Sequence, residues 1–113
     1  MEFNLYDIIK SSKKILLLSH VNPDGDTLGS MCAMYSMIYD KFKIKADMSM
    51  VSNLPYNYKF LPNIELAQRY FDQSLVYDLV IALDIASEER MRDSKIFFDK
   101  AKTTINIGHN YDK

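Results

Sequence analysis

Three short runs of branched and apolar residues stand out along the chain, and each has the length of a β-strand. They are KILLLS at 14–19, DLVIALD at 78–84 and TTINI at 103–107. Dense runs of this length, bounded by polar or turn-forming residues, are typical of strands in the interior of a parallel sheet. A less hydrophobic run at 45–51 predicts a further strand that lies nearer an edge.

Apolar residues at helical spacing predict helices between these strands. A short amphipathic helix is expected near 3–9, a long one begins at Asp26 or Thr27, and a helical pattern follows the polar residues after Ser87. The predicted buried stripe of the long helix is Leu28, Met31, Cys32, Tyr35, Ile38, Tyr39 and Phe42. Gly29 and Ser30, in its first turns, would let another backbone or a ligand come close. The segment 64–71 has no clear assignment.

Strands that alternate with helices predict an α/β fold, namely a Rossmann-like, mainly parallel sheet with helices on both faces. With 113 residues the chain has the size of a single domain, 1–113. Its net charge of −1 argues against the wrapping of a long nucleic acid. The single cysteine, Cys32, excludes an internal disulfide and favours a reducing compartment. No apolar run approaches the roughly 18 to 20 residues of a membrane span, so we expect a cytoplasmic protein with no membrane partner.

Candidate chemistry lies where the predicted strands end. His20 follows the first run, Asp84 ends the second, and His109 follows the third. Because parallel strands place their carboxyl ends at one edge of a sheet, we expect these residues to converge, with Asp24 and Asp26 in the loop above them. Crowded carboxylates repel one another unless a cation neutralises them. Carboxylate and imidazole ligands together suit Mn²⁺ or a similar divalent ion, and Asp84 in the middle could bridge two ions.

Each of these residues also has a purely structural explanation. The stretch Asn-Pro-Asp-Gly-Asp is rich in turn formers, and Asp26 could be a helix N-cap. Asp84 could cap a helix near Ser87, and a histidine such as His109 is often simply solvated. An unrelated doubly wound domain, whose loop aspartates cap helices, would then account for the pattern.

The motif HVNPDGDTLGS at 20–30 resembles the first motif of the DHH phosphoesterases, and ALD at 82–84 resembles the second. The resemblance extends in order over nearly the whole chain. It implies the N-terminal domain of a Mn²⁺-dependent hydrolase of nucleotide phosphates. The layout most resembles the oligoribonuclease and pAp-phosphatase branch, whose substrates are short oligonucleotides or pAp.

The resemblance also implies roles for the individual residues. His20, Asp24 and Asp84 would hold one Mn²⁺, and Asp26, Asp84 and His109 would hold the other, with Mg²⁺ as an alternative ion. Asp84, His109 and Asn110 occupy the catalytic positions.

Two departures from the family pattern predict that the isolated chain is weak or inactive. Where the family has Asp-His-His, this chain has Gly108, His109 and Asn110. Asparagine can donate a hydrogen bond to a phosphate, but it carries no charge and shuttles no proton. The sequence also stops at Lys113, so the family's further ligand aspartate and its C-terminal substrate-binding domain are expected to be absent.

Two functions therefore remain open. The chain is either the metal-binding half of a phosphoesterase or a non-catalytic relic, a binding or interaction module on the same fold. If it is active, its partner is a short oligonucleotide or a nucleotide phosphate. A second copy of the chain, forming a homodimer, or a separate chain that supplies the C-terminal half could complete it.

Overall fold

The computed structural model describes residues 4–19, 25–50, 59–68, 71–83 and 94–107, with the backbone alone at 25–27. These residues form three α-helices, five β-strands and a short 3₁₀ helix. In chain order they are α1 (Leu5–Lys10), β1 (Ile15–Leu18), α2 (Gly25–Phe42), β2 (Asp47–Ser49), the 3₁₀ helix (Ile64–Leu66), β3 (Ala67–Gln68), β4 (Leu79–Leu83), α3 (Lys95–Lys100) and β5 (Thr103–Ile107). No helix among these residues is both long and apolar enough to cross a membrane.

The described strands form one parallel sheet in the order β3-β2-β1-β4-β5. In the register of the sheet Leu18 lies opposite Ala82, and Leu83 lies opposite Ile107. The expected Rossmann-like α/β fold is confirmed. The weakly hydrophobic β2 is not the outermost strand, because the two-residue strand β3 pairs along its outer side.

Consecutive residues of the central strands are buried on opposite faces of the sheet. Ile15 and Leu17 of β1 pack into one core with residues of α1 and α2. Leu16 and Leu18 pack into a second core, which includes Phe97 of α3. Helices therefore cover both faces, and β1 and β4 are buried at every position. Burial on both faces is the physical reason for their continuous apolar runs.

Most of the predicted stripe of α2 faces the core, but one member does not. Leu28, Met31, Cys32 and Ile38 are buried, and Tyr35 and Phe42 are half-buried. Tyr39 was wrongly predicted to be buried, since it is 39% exposed and the Lys43 amine lies 5.5 Å from its ring centroid. A tyrosine can occupy such a border position because its ring packs while its hydroxyl stays in water.

The first turns of α2 also differ in detail from the prediction. The helix begins at Gly25, one residue earlier than expected. A side chain built at Gly29 would meet no atom of the described residues within 4 Å, apart from its chain neighbours and the nearby backbone of its own helix. No described backbone therefore needs the close approach that the glycine would permit.

Tyr77 joins the second core to β2 through its hydroxyl group. The side chain is fully buried, its hydroxyl donates a 2.6 Å hydrogen bond to the Asp47 carboxylate, and its ring meets Phe97 edge-on at 5.8 Å. Burial, with the Asp47 contact adding to it, raises the pKa of Tyr77 far above its usual range. The hydroxyl thus stays protonated and able to donate.

Removing this hydroxyl should destabilise the fold. Tyr77→Phe keeps the ring but leaves Asp47 without its donor, so the free energy of unfolding should fall by about 1–3 kcal/mol. Urea unfolding measures the change, and Tyr39→Phe, at the surface of α2, is the matched control, with an expected effect within about 0.5 kcal/mol. Equal losses in the two variants would show that the Tyr77–Asp47 bond is not the cause.

Asp78 holds the residues that lead into β1, at the same amino-terminal edge of the sheet. Its carboxylate accepts hydrogen bonds from the backbone N–H groups of Lys13 and Lys14, at 2.8 and 3.0 Å. These two bonds, with a smaller contribution from Lys102, hold the pKa of the Asp78 carboxyl below its ordinary value of 3.8.

The lowered pKa predicts an acid-dependent loss of stability. Because the folded-state pKa lies below the unfolded-state value, the contribution of Asp78 is complete above roughly pH 5 and is lost as the pH falls through the folded-state pKa. Asp78→Asn should therefore be clearly less stable than the unaltered chain at pH 7. The difference should shrink steadily below about pH 4. Denaturant unfolding at a series of pH values measures it, and a difference independent of pH would contradict the expectation.

Candidate functional site

The carboxyl ends of β1, β4 and β5 lie side by side at one edge of the sheet. β4 is the central strand of the three, and all of its described pairings are parallel. In the sequence His20 comes two residues after β1, Asp84 directly follows β4, and His109 comes two residues after β5. The sheet therefore has the arrangement that the convergence argument requires.

The candidate ligands themselves fall almost entirely outside the described residues, so their grouping stays a prediction. This holds for His20, Asp24, Asp84, Gly108, His109 and Asn110. Asp26 is described by its backbone alone, as the second residue of α2. Within the part of the chain that the structure describes, no three His, Cys, Asp or Glu side chains group closely enough to hold a metal ion.

Three buried serines link the elements that end or begin at this edge. Ser19 follows β1, Ser49 ends β2, and Ser94 precedes α3, and all three are at most 4% exposed. The hydroxyls of Ser49 and Ser94 are hydrogen-bonded at 2.8 Å. The Ser19 hydroxyl and the Ser19 backbone N–H both donate to the Ser49 carbonyl, at 3.3 and 3.1 Å. We refer to these three residues as the serine bridge.

The sequence patterns gave no reason to select the serine bridge. Ser19 is the residue before His20, and it reads simply as the polar end of an apolar run. Ser49 and Ser94 are 45 positions apart, and only the packing of α3 against the sheet brings their hydroxyls together. One available signal is that Ser19 directly precedes the candidate ligand His20.

Cysteine is a common metal ligand, but the surroundings of Cys32 make it a poor one. It is buried in α2, and burial, followed by the charge of Glu65, raises the pKa of its thiol. Metal binding requires the thiolate, so a thiol with a raised pKa is a poor ligand at neutral pH. The candidate chemistry therefore rests on the carboxylates and imidazoles.

Two surface pockets of the described residues lie elsewhere on the molecule. One is at the amino-terminal edge and is lined by Ser11, Ser12, Lys13, Asp78, Lys102 and Thr103. The other lies beside the second half of α2 and is lined by Tyr35, Ser36, Tyr39, Asp40, Lys45 and Asn63. Neither contains a residue from the carboxyl end of β1, β4 or β5.

Comparison with known proteins supports the fold more than the detailed function. No protein-family model matches the chain. The structure is similar to that of an exopolyphosphatase-related protein from Bacteroides fragilis, with a TM-score of 0.83 and 25% sequence identity. The match covers 93% of this chain and 33% of the other, so the chain spans about a third of that protein's length. This likeness agrees with the phosphoesterase-like α/β fold that the motifs imply, and it does not favour the oligoribonuclease and pAp-phosphatase branch.

Proposed function

We propose that this chain is the metal-binding half of a Mn²⁺-dependent phosphoesterase that acts on short oligonucleotides or pAp. One observation carries the proposal: β1, β4 and β5 are parallel neighbours whose carboxyl ends meet at one edge. The three motif segments thus leave the sheet from adjacent strands. The likeness to an exopolyphosphatase-related protein supports the same class of chemistry.

The reach of the chain is consistent with a shared site. Asp84 directly follows Leu83, while His20 and His109 each come two residues after the last residue of their strands. Neighbouring strands lie about 4.8 Å apart, and a residue extends the chain by at most about 3.6 Å. The starting points of the three segments therefore span on the order of 10 Å, a distance that side chains of this length can close.

The donor set suits the proposed ion. Two imidazoles and three carboxylates form the mixed nitrogen and oxygen set that Mn²⁺ accepts. His20, Asp24 and Asp84 would hold one ion, and Asp26, Asp84 and His109 a second. Such ions supply an activated water and neutralise charge on a phosphoryl group. Asn110 would donate a hydrogen bond to a phosphate oxygen, a weaker contact than the histidine of the resembling enzymes makes.

Inorganic polyphosphate is a second candidate substrate, and the similarity to an exopolyphosphatase-related protein favours it. The non-catalytic alternative also has a specific observation in its favour. Gly108 and Asn110 replace two of the three residues of the motif after β5. A domain with that change could keep metal and phosphate binding while losing turnover.

Calorimetric titration separates the two candidate substrates, and an assay of phosphate release separates an active enzyme from the non-catalytic module. We expect Mn²⁺ to bind, and pAp to bind the Mn²⁺-loaded chain more tightly than it binds the chain in excess chelator. Preferential binding of polyphosphate would select the second candidate. Absence of Mn²⁺ binding would overturn the proposals for both substrates. It would favour an unrelated domain whose loop aspartates have a structural role.

A further inference from the structure

A pocket beside the second half of α2 combines tyrosine rings with charges of both signs. We call it the α2 pocket, and the residues that line it are Tyr35, Ser36, Tyr39, Asp40, Lys45 and Asn63. The first four lie on adjacent turns of α2, where positions i and i+4 share one face of the helix. None of the six comes from the carboxyl end of β1, β4 or β5, so they differ from the residues of the proposed metal site.

Asp40 and Lys45 line the α2 pocket without neutralising each other. Both residues are exposed. Within the part of the chain that the structure describes, neither forms a salt bridge or a side-chain hydrogen bond. The carboxylate can accept hydrogen bonds, and the ammonium can only donate them. A ligand that uses both must therefore carry N–H donors at one end and an anionic group at the other.

The tyrosine rings of the pocket suit a planar ligand. Tyr35 is half-buried and packs against the core, whereas Tyr39 is 39% exposed and has the Lys43 amine 5.5 Å from its ring centroid. Exposed aromatic rings beside lysines are the combination that stacks nucleobases and attracts their phosphates. The cavity of about 220 Å³ is smaller than the roughly 300 Å³ at which pockets for drug-sized ligands begin, so it would hold one base and leave the sugar and phosphate outside.

Asn63 ties the remaining wall of the pocket to α2. It directly precedes the 3₁₀ helix, and its side-chain amide donates a 3.1 Å hydrogen bond to the Ser36 hydroxyl, 27 positions away in sequence. Its backbone has a φ of 67°, in the left-handed region that asparagine adopts more readily than most residues. The fold therefore assembles the pocket before any ligand arrives, and this lowers the ordering cost of binding.

We propose that the α2 pocket binds a nucleoside monophosphate unit, with guanine as the preferred base. The base stacks on Tyr39, its ring N–H and amino group donate to the Asp40 carboxylate, and the phosphate pairs with Lys45. Guanine fits best because its two donors lie side by side, as the two oxygens of a carboxylate require. A free nucleotide and the end of a short oligonucleotide both present this unit. The inference goes beyond the proposed function and involves no metal ion.

Titration with guanosine monophosphate (GMP) in excess chelator tests the proposal. The chain has eight tyrosines and no tryptophan, so a stacked base should quench tyrosine fluorescence, and calorimetry gives the affinity. We expect GMP to bind about tenfold more tightly than inosine monophosphate, which lacks only the amino group that donates to Asp40. Guanosine, which lacks the phosphate that pairs with Lys45, should also bind about tenfold more weakly than GMP. Absence of GMP binding, or equal affinities for the three ligands, would overturn the proposal.

Variants of the pocket assign the contacts. Tyr39→Ala should weaken GMP binding about tenfold, and Tyr39→Phe, which keeps the ring, should stay within about twofold of the unaltered chain. Tyr6→Ala is the matched control, because Tyr6 is also an exposed tyrosine, with the Lys41 amine 6.0 Å from its ring centroid, and it does not line the pocket. Equal GMP affinities in Tyr39→Ala and Tyr6→Ala would overturn the stacking role.

Asp40→Asn provides a second test that does not depend on Tyr39. Because an amide cannot accept two donors as a carboxylate does, this variant should bind GMP and inosine monophosphate almost equally. It alters an exposed residue, so it serves as the main test if Tyr39→Ala does not fold. A preference for GMP that is unchanged in Asp40→Asn would contradict the proposed contact.

A guanylate trinucleotide identifies the source of the bound unit. Tighter binding of the trinucleotide than of GMP, lost in Tyr39→Ala, would support the end of an oligonucleotide as the ligand. Equal binding would support a free nucleotide. Because the chelator removes Mn²⁺, absence of GMP binding would overturn this inference alone, and absence of Mn²⁺ binding would overturn the proposed function alone.

Discussion

Asp84→Ala should abolish the binding of Mn²⁺ to this chain. Asp84 directly follows β4, the strand between β1 and β5, and it is the one candidate that both proposed ion positions share. Its removal takes a charged ligand from each position at once. The affinity should fall by more than about 100-fold, beyond the effect expected for any outer partner.

Calorimetry of the unaltered chain and two variants tests this expectation. The unaltered chain should bind one Mn²⁺ weakly, at His20, Asp24 and Asp84, and the second position should fill less. Asp99→Ala is the control, because it removes the same charge from an exposed pair with Lys95 on α3. The idea fails if Asp84→Ala binds Mn²⁺ as well as Asp99→Ala does.

A polypeptide of these 113 residues should hydrolyse pAp and short oligonucleotides far more slowly than the roughly 1 to 10³ turnovers per second that are common among enzymes. The double replacement Gly108→Asp and Asn110→His should not restore such rates. Holding a substrate in line with its nucleophile can supply on the order of 7–11 kcal/mol. In the enzymes that the motifs resemble, much of that hold comes from a second domain, and these residues span a third of the similar structure.

The assay uses the unaltered and the repaired polypeptide with Mn²⁺, and measures nucleotide and phosphate release. The repaired motif should improve Mn²⁺ affinity while the rate stays low. Turnover in the common range from either polypeptide would contradict the prediction.

Light scattering on the same samples reports self-association, which we expect because β5 is the outermost described strand on its side of the sheet.

The motif order was readable from the sequence, whereas the assembly of the site was not. HVNPDGDTLGS and the aspartate after the β4 run are local patterns, so they identify candidate ligands without any knowledge of the fold. That β1, β4 and β5 are neighbours depends on which strands pair, and no local pattern records it. The positions of the candidate ligands' side chains remain predictions, because these residues lie outside the described part of the chain.

The sequence by itself determined the parallel α/β class, the three main strands and the long helix. Strands buried on both faces must be apolar at consecutive positions, and a helix that packs on a sheet must be apolar at every third or fourth position. Both patterns can therefore be recognised in the sequence. Only the tertiary structure decided the pairing of β3, the exposure of Tyr39, the Tyr77–Asp47 bond and the serine bridge. Each depends on a contact between residues distant in sequence or on a single side chain at the edge of a core. Such contacts follow from packing, because hydroxyl, ring and carboxylate groups find their partners only once the elements are in place.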